Sequence, residues 1–211
     1  MGLIMRNGKL YRVGGGGDDA FRYVNDPNDE NYGWIQYQDA DGNWVNYEPA
    51  FTKKYVLFEP NNNAANFVAY AGGIDSTAKL APTVTFGDVM AIVQAHSGST
   101  SGSDSKMGCV ITENSIDLTE YDTIKLEYTD TGSKQALSDV YAKLIITSAK
   151  ATNMTATASQ YIFQNSLLTS GEVELDISAI DGEYYVAILL HSFGMNDYGY
   201  ARVNVNNMYM E

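Results

Sequence analysis

The sequence predicts an all-β protein built from an N-terminal docking arm, a small β-hairpin module and a C-terminal antiparallel β-sandwich. Three observations carry that prediction. Short runs rich in Val, Ile, Thr and Tyr recur along the chain, each closed by Gly, Pro, Asn or Asp. No long stretch repeats its apolar residues at helical spacing, and no heptad announces a coiled coil. Four consecutive glycines, Gly14 to Gly17, set a short apolar-polar opening apart from the remainder of the chain. The resulting division is 1–18 for the arm with its tether, 19–52 for the hairpin module and 53–211 for the sandwich.

The arm runs from Met1 to Val13, with Asn7-Gly8 suited to a tight turn between two extended pieces. Leu3, Ile4, Met5, Leu10, Tyr11 and Val13 are its candidate docking residues. So few side chains cannot offset the entropy of ordering a strand alone, so the arm is expected to bury itself on another protein. Adding a strand or a plug to that protein is the expected mode, with the glycines decoupling it from the rest. No Lys-Ser/Thr follows the glycines, so they read as a tether and not as a phosphate cradle. Leu3-Ile4-Met5 is too short for the core of a secretory signal, and export by that route is not expected.

Phe21 to Asn31 is polar and acidic, and Asn25 to Glu30 is turn material. Next come Trp34-Ile35-Gln36-Tyr37-Gln38 and Trp44-Val45-Asn46-Tyr47-Glu48, flanking the loop from Asp39 to Asn43. Folding about that loop pairs Gln38 with Trp44, Tyr37 with Val45 and Ile35 with Tyr47. One face then carries Ile35, Tyr37, Val45 and Tyr47. The other carries Trp34, Gln36, Gln38, Trp44, Asn46 and Glu48, and a one-residue slip would mix the two. Gly42 supplies the positive φ that such a loop needs.

The sandwich is read strand by strand. Tyr55 to Glu59 is closed by Pro60 and three asparagines, and Phe67 to Tyr70 ends at Gly72-Gly73. Thr83 to Phe86, Val89 to Ala95, Met107 to Thr112, Ile124 to Tyr128 and Ala142 to Thr147 come next. The Ser/Thr/Ala-rich region from Met154 to Leu168 reads equally as loop or short helix. Val173 to Ile177 alternates strictly. Tyr184 to His191 is apolar on both faces and belongs in the middle of a sheet. Ala201 to Val205 leads the last strand. Facing sheets bury a continuous core from the inward positions.

Composition excludes several functions. The 211 residues suffice for one large domain, or one plus an appendage, and the 45% hydrophobic fraction is that of a folded protein. With 26 acidic against 13 basic residues, the net charge of -13 repels phosphate backbones, so no nucleic-acid partner is expected. No apolar stretch is long enough to insert in a bilayer as a helix. The 16 tyrosines suit half-buried sheet surfaces and interfaces. Cys109, the one cysteine, allows no intrachain disulfide and sits in an apolar strand as a core thiol.

No cofactor and no catalytic set is expected. His96 and His191 are far apart in the chain, and neither a Gly-x-Ser-x-Gly elbow nor a His-Glu-x-x-His helix is present. A calcium loop starting at Asp39 would need glycine at its sixth place and glutamate at its twelfth, where Trp44 and Ala50 stand. Acidic residues are too plentiful to single out a glycosidase pair. Trp34 and Trp44 share the polar face of the hairpin, where flat rings pack on a neighbouring surface or stack on sugars. Tyr198 and Tyr200 make a second aromatic loop, a binding surface or a plain turn.

Three passages resemble small virion structural proteins of bacteriophages and prophages of Gram-positive gut bacteria. Ile4-Met5-Arg6-Asn7-Gly8-Lys9-Leu10-Tyr11 before the glycines is similar to their N-terminal anchors, and the passage from Trp34 to Trp44 to a hairpin module of phage fibres. Ile116-Asp117-Leu118-Thr119-Glu120-Tyr121, with Leu175-Asp176-Ile177-Ser178 and the strand from Tyr184, resembles the jelly-roll modules on tail and fibre proteins. The resemblance implies a jelly-roll-like sandwich, a virion location and a non-enzymatic role as a head fibre, decoration subunit or tail-tip accessory. Its implied partners are other virion proteins, contacted through the arm, and further copies of itself, a trimer by analogy with phage architecture. A carbohydrate-binding module recognising host glycans is the alternative reading, and a polysaccharide depolymerase the third.

Overall fold

A computed structural model describes residues 2–6, 9–13, 21–23, 35–38, 41–46, 54–95, 104–133, 140–164, 169–194 and 200–211. Among these residues the regular elements are strands throughout. The chain divides into two compact units, Met1–Thr52 and Lys53–Glu211.

The first unit is one antiparallel sheet whose strands follow chain order: β1 (Gly2–Arg6), β2 (Lys9–Val13), β3 (Phe21–Tyr23), β4 (Ile35–Gln38) and β5 (Trp44–Asn46). β1 and β2 pair from Gly2↔Val13 to Arg6↔Lys9, and β2 meets β3 at Leu10↔Phe21. β3 lies along β4 through Phe21↔Tyr37, Arg22↔Gln36 and Tyr23↔Ile35. The opening strands thus share one sheet with the hairpin, joined to it through the Leu10↔Phe21 pairing of β2 with β3. Phe21-Arg22-Tyr23 alternates aromatic and polar residues, and it gives the backbone of β2 the hydrogen-bonding neighbour it needs.

In the hairpin, Tyr37↔Val45 and Gln38↔Trp44 have the expected register, while the Ile35–Tyr47 pair lies outside the described residues. Gly42 has φ +84°, and its carbonyl accepts from Gln38 Nε2 at 2.8 Å. One side chain departs from the expected faces. Gln36 is only 4% exposed and donates from Nε2 to Asn46 Oδ1 at 2.6 Å. That bond is what makes a buried amide tolerable.

The second unit is an antiparallel, jelly-roll-like β-sandwich. Its first sheet has the order β14 (Ala156–Gln164), β13 (Tyr141–Thr147), β16 (Glu183–Gly194), β10 (Asp104–Thr112), β7 (Phe67–Tyr70), with β11 (Ile116–Asp117) also on β16. The second has the order β15 (Thr169–Asp176), β12 (Thr123–Ser133), β17 (Tyr200–Met210), β9 (Met90–Ala95), β8 (Thr83–Phe86), with β6 (Tyr55–Phe58) also on β17. β16 is central, as its two apolar faces require. Ala142, Leu144 and Ile146 of β13 and Val186, Ile188 and Leu190 of β16 face Ile124, Leu126, Val203 and Val205 in the inter-sheet core. Within the stretch read as loop or helix, Ala156–Gln164 is instead the edge strand β14. Its mostly small, exposed side chains leave it without the apolar alternation that marks a strand.

The outer face of the first sheet has a second, smaller core. Met107, Cys109 and Ile111 of β10, Ile145, and Ala187 and Leu189 of β16 pack there with Met154. Residues 71–74 and 151–154 lie over it, joined by Gly73 N–H to Thr152 C=O at 3.1 Å and Met154 N–H to Gly73 C=O at 2.6 Å. Gly72 makes that close passage. A Cβ there would lie 2.7 Å from the Ala151 carbonyl and 2.6 Å from the Tyr70 ring.

Two turns of the same chemistry close one end of the sandwich. Asp117 Oδ1 accepts from Thr119 N at 3.0 Å and Thr119 Oγ1 at 2.6 Å, while Asp176 Oδ1 accepts from Ser178 N at 3.0 Å and Ser178 Oγ at 2.7 Å. These are the short side-chain-to-backbone bonds that initiate turns. Each turn also bonds the other's loop. Leu118 N–H donates to Gly182 C=O at 3.0 Å, and Ile177 N–H donates to Asp122 C=O at 2.8 Å. Leu118 and Ile177 are buried between them, and Tyr121 packs beneath with 8% exposure.

Candidate functional site

The residues singled out from the sequence fall in both units. Leu3, Ile4 and Met5 lie on β1, and Leu10, Tyr11 and Val13 on β2, with Ile4 opposite Tyr11 and Met5 opposite Leu10. Trp44 begins β5 and is 36% exposed. Tyr200 begins β17, half-buried, with the Arg202 guanidinium carbon 5.8 Å from its ring centre. Trp34, Tyr198 and His96 lie outside the described residues.

A different cluster stands on the sandwich. Tyr141 of β13 lies directly opposite His191 of β16, their ring centres 5.1 Å apart. On its other side Tyr161 of β14 meets Tyr141 edge-on, at 5.8 Å and 88°. Lys143 shares this face, two residues beyond Tyr141, and its Nζ is 3.9 Å from the Tyr161 ring centre and 5.4 Å from that of Tyr141. A cation over a ring at such an exposed position contributes about 0.5–1 kcal/mol. Tyr161 is 43% exposed, so an aromatic surface with an ammonium beside it is open to solvent.

Asp75 brings a carboxylate to the same neighbourhood. Burial pushes its pKa up, but hydrogen bonds from Thr77 and the charges of Lys79 and His191 outweigh that and hold it below the ordinary value. Thr77 N–H donates to Asp75 Oδ1 at 2.6 Å, and Lys79 Nζ lies 3.7 Å away. This shelf can bind by stacking an apolar ligand face on tyrosine and donating hydrogen bonds from Lys143.

The outer face of the second sheet is a lattice of paired polar groups. Arg202 reaches Asp130 at 2.7 Å, Thr129 Oγ1 donates to Asn206 Oδ1 at 3.0 Å and Asn207 Nδ2 to Glu127 Oε2 at 2.6 Å. Two register shifts between β12 and β17 make the pattern possible, and Asp130 takes φ +51° at one of them. Cys109 lies within the second core. Burial there pushes its thiol up to about 12, which makes it inert as a nucleophile at neutral pH. Among the described residues no three His, Cys, Asp or Glu gather to hold a metal ion.

Sequence reasoning missed the tyrosine shelf. Tyr141 and Lys143 alternate at the head of a strand, a readable signal. Tyr161 lay in the stretch with no clear period, and only the pairing of β14 on β13 brings it alongside.

No family model matches the chain, and no curated protein matches it. Among solved structures the chain is similar to a carbohydrate-binding module specific for non-crystalline cellulose, with 16% identity, a TM-score of 0.40, and coverage of 68% of this chain and 86% of that one. It is also similar to the glycoside hydrolase domain of Endo-D from Streptococcus pneumoniae R6, with 11% identity, a TM-score of 0.35, and coverage of 75% of this chain and 21% of that one.

Proposed function

We propose that this chain is a non-enzymatic attachment-and-display protein, of the phage virion type that its sequence resembles. In this reading the first unit anchors it to a larger particle and the sandwich is the displayed part. One observation carries the reading: the two units differ sharply in self-sufficiency. The sandwich encloses its own core between two six-stranded sheets. The first unit is a single sheet of strands three to five residues long. Such a sheet gains stability by packing or pairing on another surface, and β1 and β5 are its edges. The test is particle incorporation. Tagged full-length chain co-sediments with virions from an induced lysate, and chain lacking residues 1–17 stays in the soluble fraction. If both remain soluble, the attachment reading fails.

A second reading, glycan recognition by the sandwich, is favoured by the tyrosine shelf. A glycan array run with the intact chain, Tyr161→Ala and Trp44→Ala separates recognition by the sandwich from recognition by the hairpin. Binding lost only in Tyr161→Ala assigns it to the shelf.

A further inference from the structure

Lys143 carries a charge that the sandwich leaves without an oxygen partner. Lys125 meets Glu211 at 2.6 Å, Arg202 meets Asp130 at 2.7 Å and Lys79 lies 3.7 Å from Asp75. Lys150 donates to the Glu113 carbonyl at 2.6 Å. Lys143 has the ring faces of Tyr161 and Tyr141 instead, and no oxygen of the described residues bonds to it. Lys54, with its Nζ 3.6 Å from the Tyr209 ring centre, is the nearest parallel, yet it is exposed where Lys143 is half-buried. Ring faces attract an ammonium but do not replace the oxygen acceptors that its three N–H donors take.

If the sandwich recognises glycans through the tyrosine shelf, the reading on which this inference rests, Lys143 decides which glycan. We propose that the shelf selects a sugar bearing a carboxylate, a hexuronic acid, with its ring stacked on Tyr161 and its carboxylate on Lys143. Lys143 and Tyr161 are direct partners across β13 and β14, so one sugar residue reaches both. The ammonium ends a flexible four-carbon stem, and it moves from the ring face to the ring edge as the sugar takes its place. Tyr141 braces Tyr161 edge-on from the side, and exposed Ser159, two residues along the same face of β14, offers a hydroxyl to the sugar.

The charge balance favours a carboxylate over its alternatives. One ammonium neutralises one carboxylate, and such charge-assisted hydrogen bonds are roughly twice as strong as those to a neutral hydroxyl. A phosphate monoester carries about -1.5 to -2 and would leave an excess beside a protein of net charge -13. Asp75, the carboxylate of this neighbourhood, is engaged by Thr77 and Lys79 and does not take up Lys143. The remaining acidic groups act on a bound anion only through solvent, where salt screens charges beyond about 8 Å.

The test pairs each acid with its neutral parent. The intact, isotope-labelled chain is titrated by NMR, at constant ionic strength, with the methyl glycosides of glucuronic, galacturonic and mannuronic acid. Those of glucose, galactose and mannose follow, and then glucose 6-phosphate. At least one acid is expected to saturate the protein with a Kd on the order of millimolar. Its neutral parent binds at least about tenfold more weakly. Lys143→Gln brings the acid down to the level of the parent, and Lys143→Arg, which keeps the charge, keeps the preference. Position 143 is half-buried at a sheet surface, and unchanged melting temperatures show that both variants are folded. A neutral sugar that binds as well as its acid overturns the inference and leaves glycan recognition standing. Binding by neither overturns both. The inference also falls if glucose 6-phosphate binds more tightly than every acid, or if Lys143→Gln binds the acid as the unaltered chain does.

Discussion

Lys143 and Tyr161 meet across neighbouring strands with the ammonium 3.9 Å from the ring centre, and Tyr161 keeps nearly half of its surface in water. Tyr161→Ala removes an exposed ring and no core contact. Its cost in stability is expected to be about 1–2 kcal/mol, the loss of the Lys143 and Tyr141 contacts with that ring. If the sandwich recognises glycans through this shelf, the same substitution lowers array binding at least about tenfold, a loss of about 1.4 kcal/mol. Unchanged binding in a responsive array would remove the shelf from consideration.

Leu144→Ala tests the inter-sheet core. Leu144 is fully buried on a central strand, so the cavity it leaves should cost about 2–5 kcal/mol. Urea unfolding monitored by circular dichroism reads this as a lower midpoint with the slope unchanged.

Gly72→Ala tests the passage over the second core. The added methyl meets a backbone carbonyl, which cannot rotate away as a side-chain end can. A loss of about 1–3 kcal/mol is expected, the usual cost of overpacking. A neutral result would mean that residues 71–74 do not press against Ala151 in solution.

Cys109 makes two measurable predictions. Its thiol resists a disulfide reagent in the folded protein at pH 8 and reacts once denaturant is added. Its raised pKa also makes stability fall as pH climbs from the ordinary thiol value of 9.0 towards about 12, because the unfolded chain ionises first. Cys109→Ala flattens that alkaline decline. Rapid labelling of the native protein would contradict the burial.

Asp75 acts at the opposite end of the pH scale. Its folded pKa is depressed, so the stability it contributes is present above the unfolded value of 3.8 and is lost as pH falls through the folded value. Asp75→Asn should lower stability at neutral pH and make the acid limb less steep. Parallel acid curves for the two proteins would show that Asp75 is not held by Thr77 and Lys79.

Much of the sandwich is legible in the sequence, for reasons visible strand by strand. β7 and β8 have the expected bounds because Gly72-Gly73 and Gly87-Asp88 end them abruptly. β16 reads as central because both its faces are apolar. β14 is not legible, since a strand of small polar residues at a sheet edge leaves no hydrophobic period. β3 is hidden for a related reason. Three residues beside an acidic stretch of sequence look like loop until β2 is seen to need a partner. The aromatic clusters are the least legible. Tyr141 with Tyr161, and Tyr55 with Tyr121, are far apart in the chain and meet only through strand pairing and turn closure.

In the sandwich the first strand lies against the last, with Tyr55 of β6 opposite Met210 of β17. A fold whose entry and exit are side by side can be spliced into a surface loop of an unrelated carrier as a cassette, because the two seams already sit where a loop's ends would be.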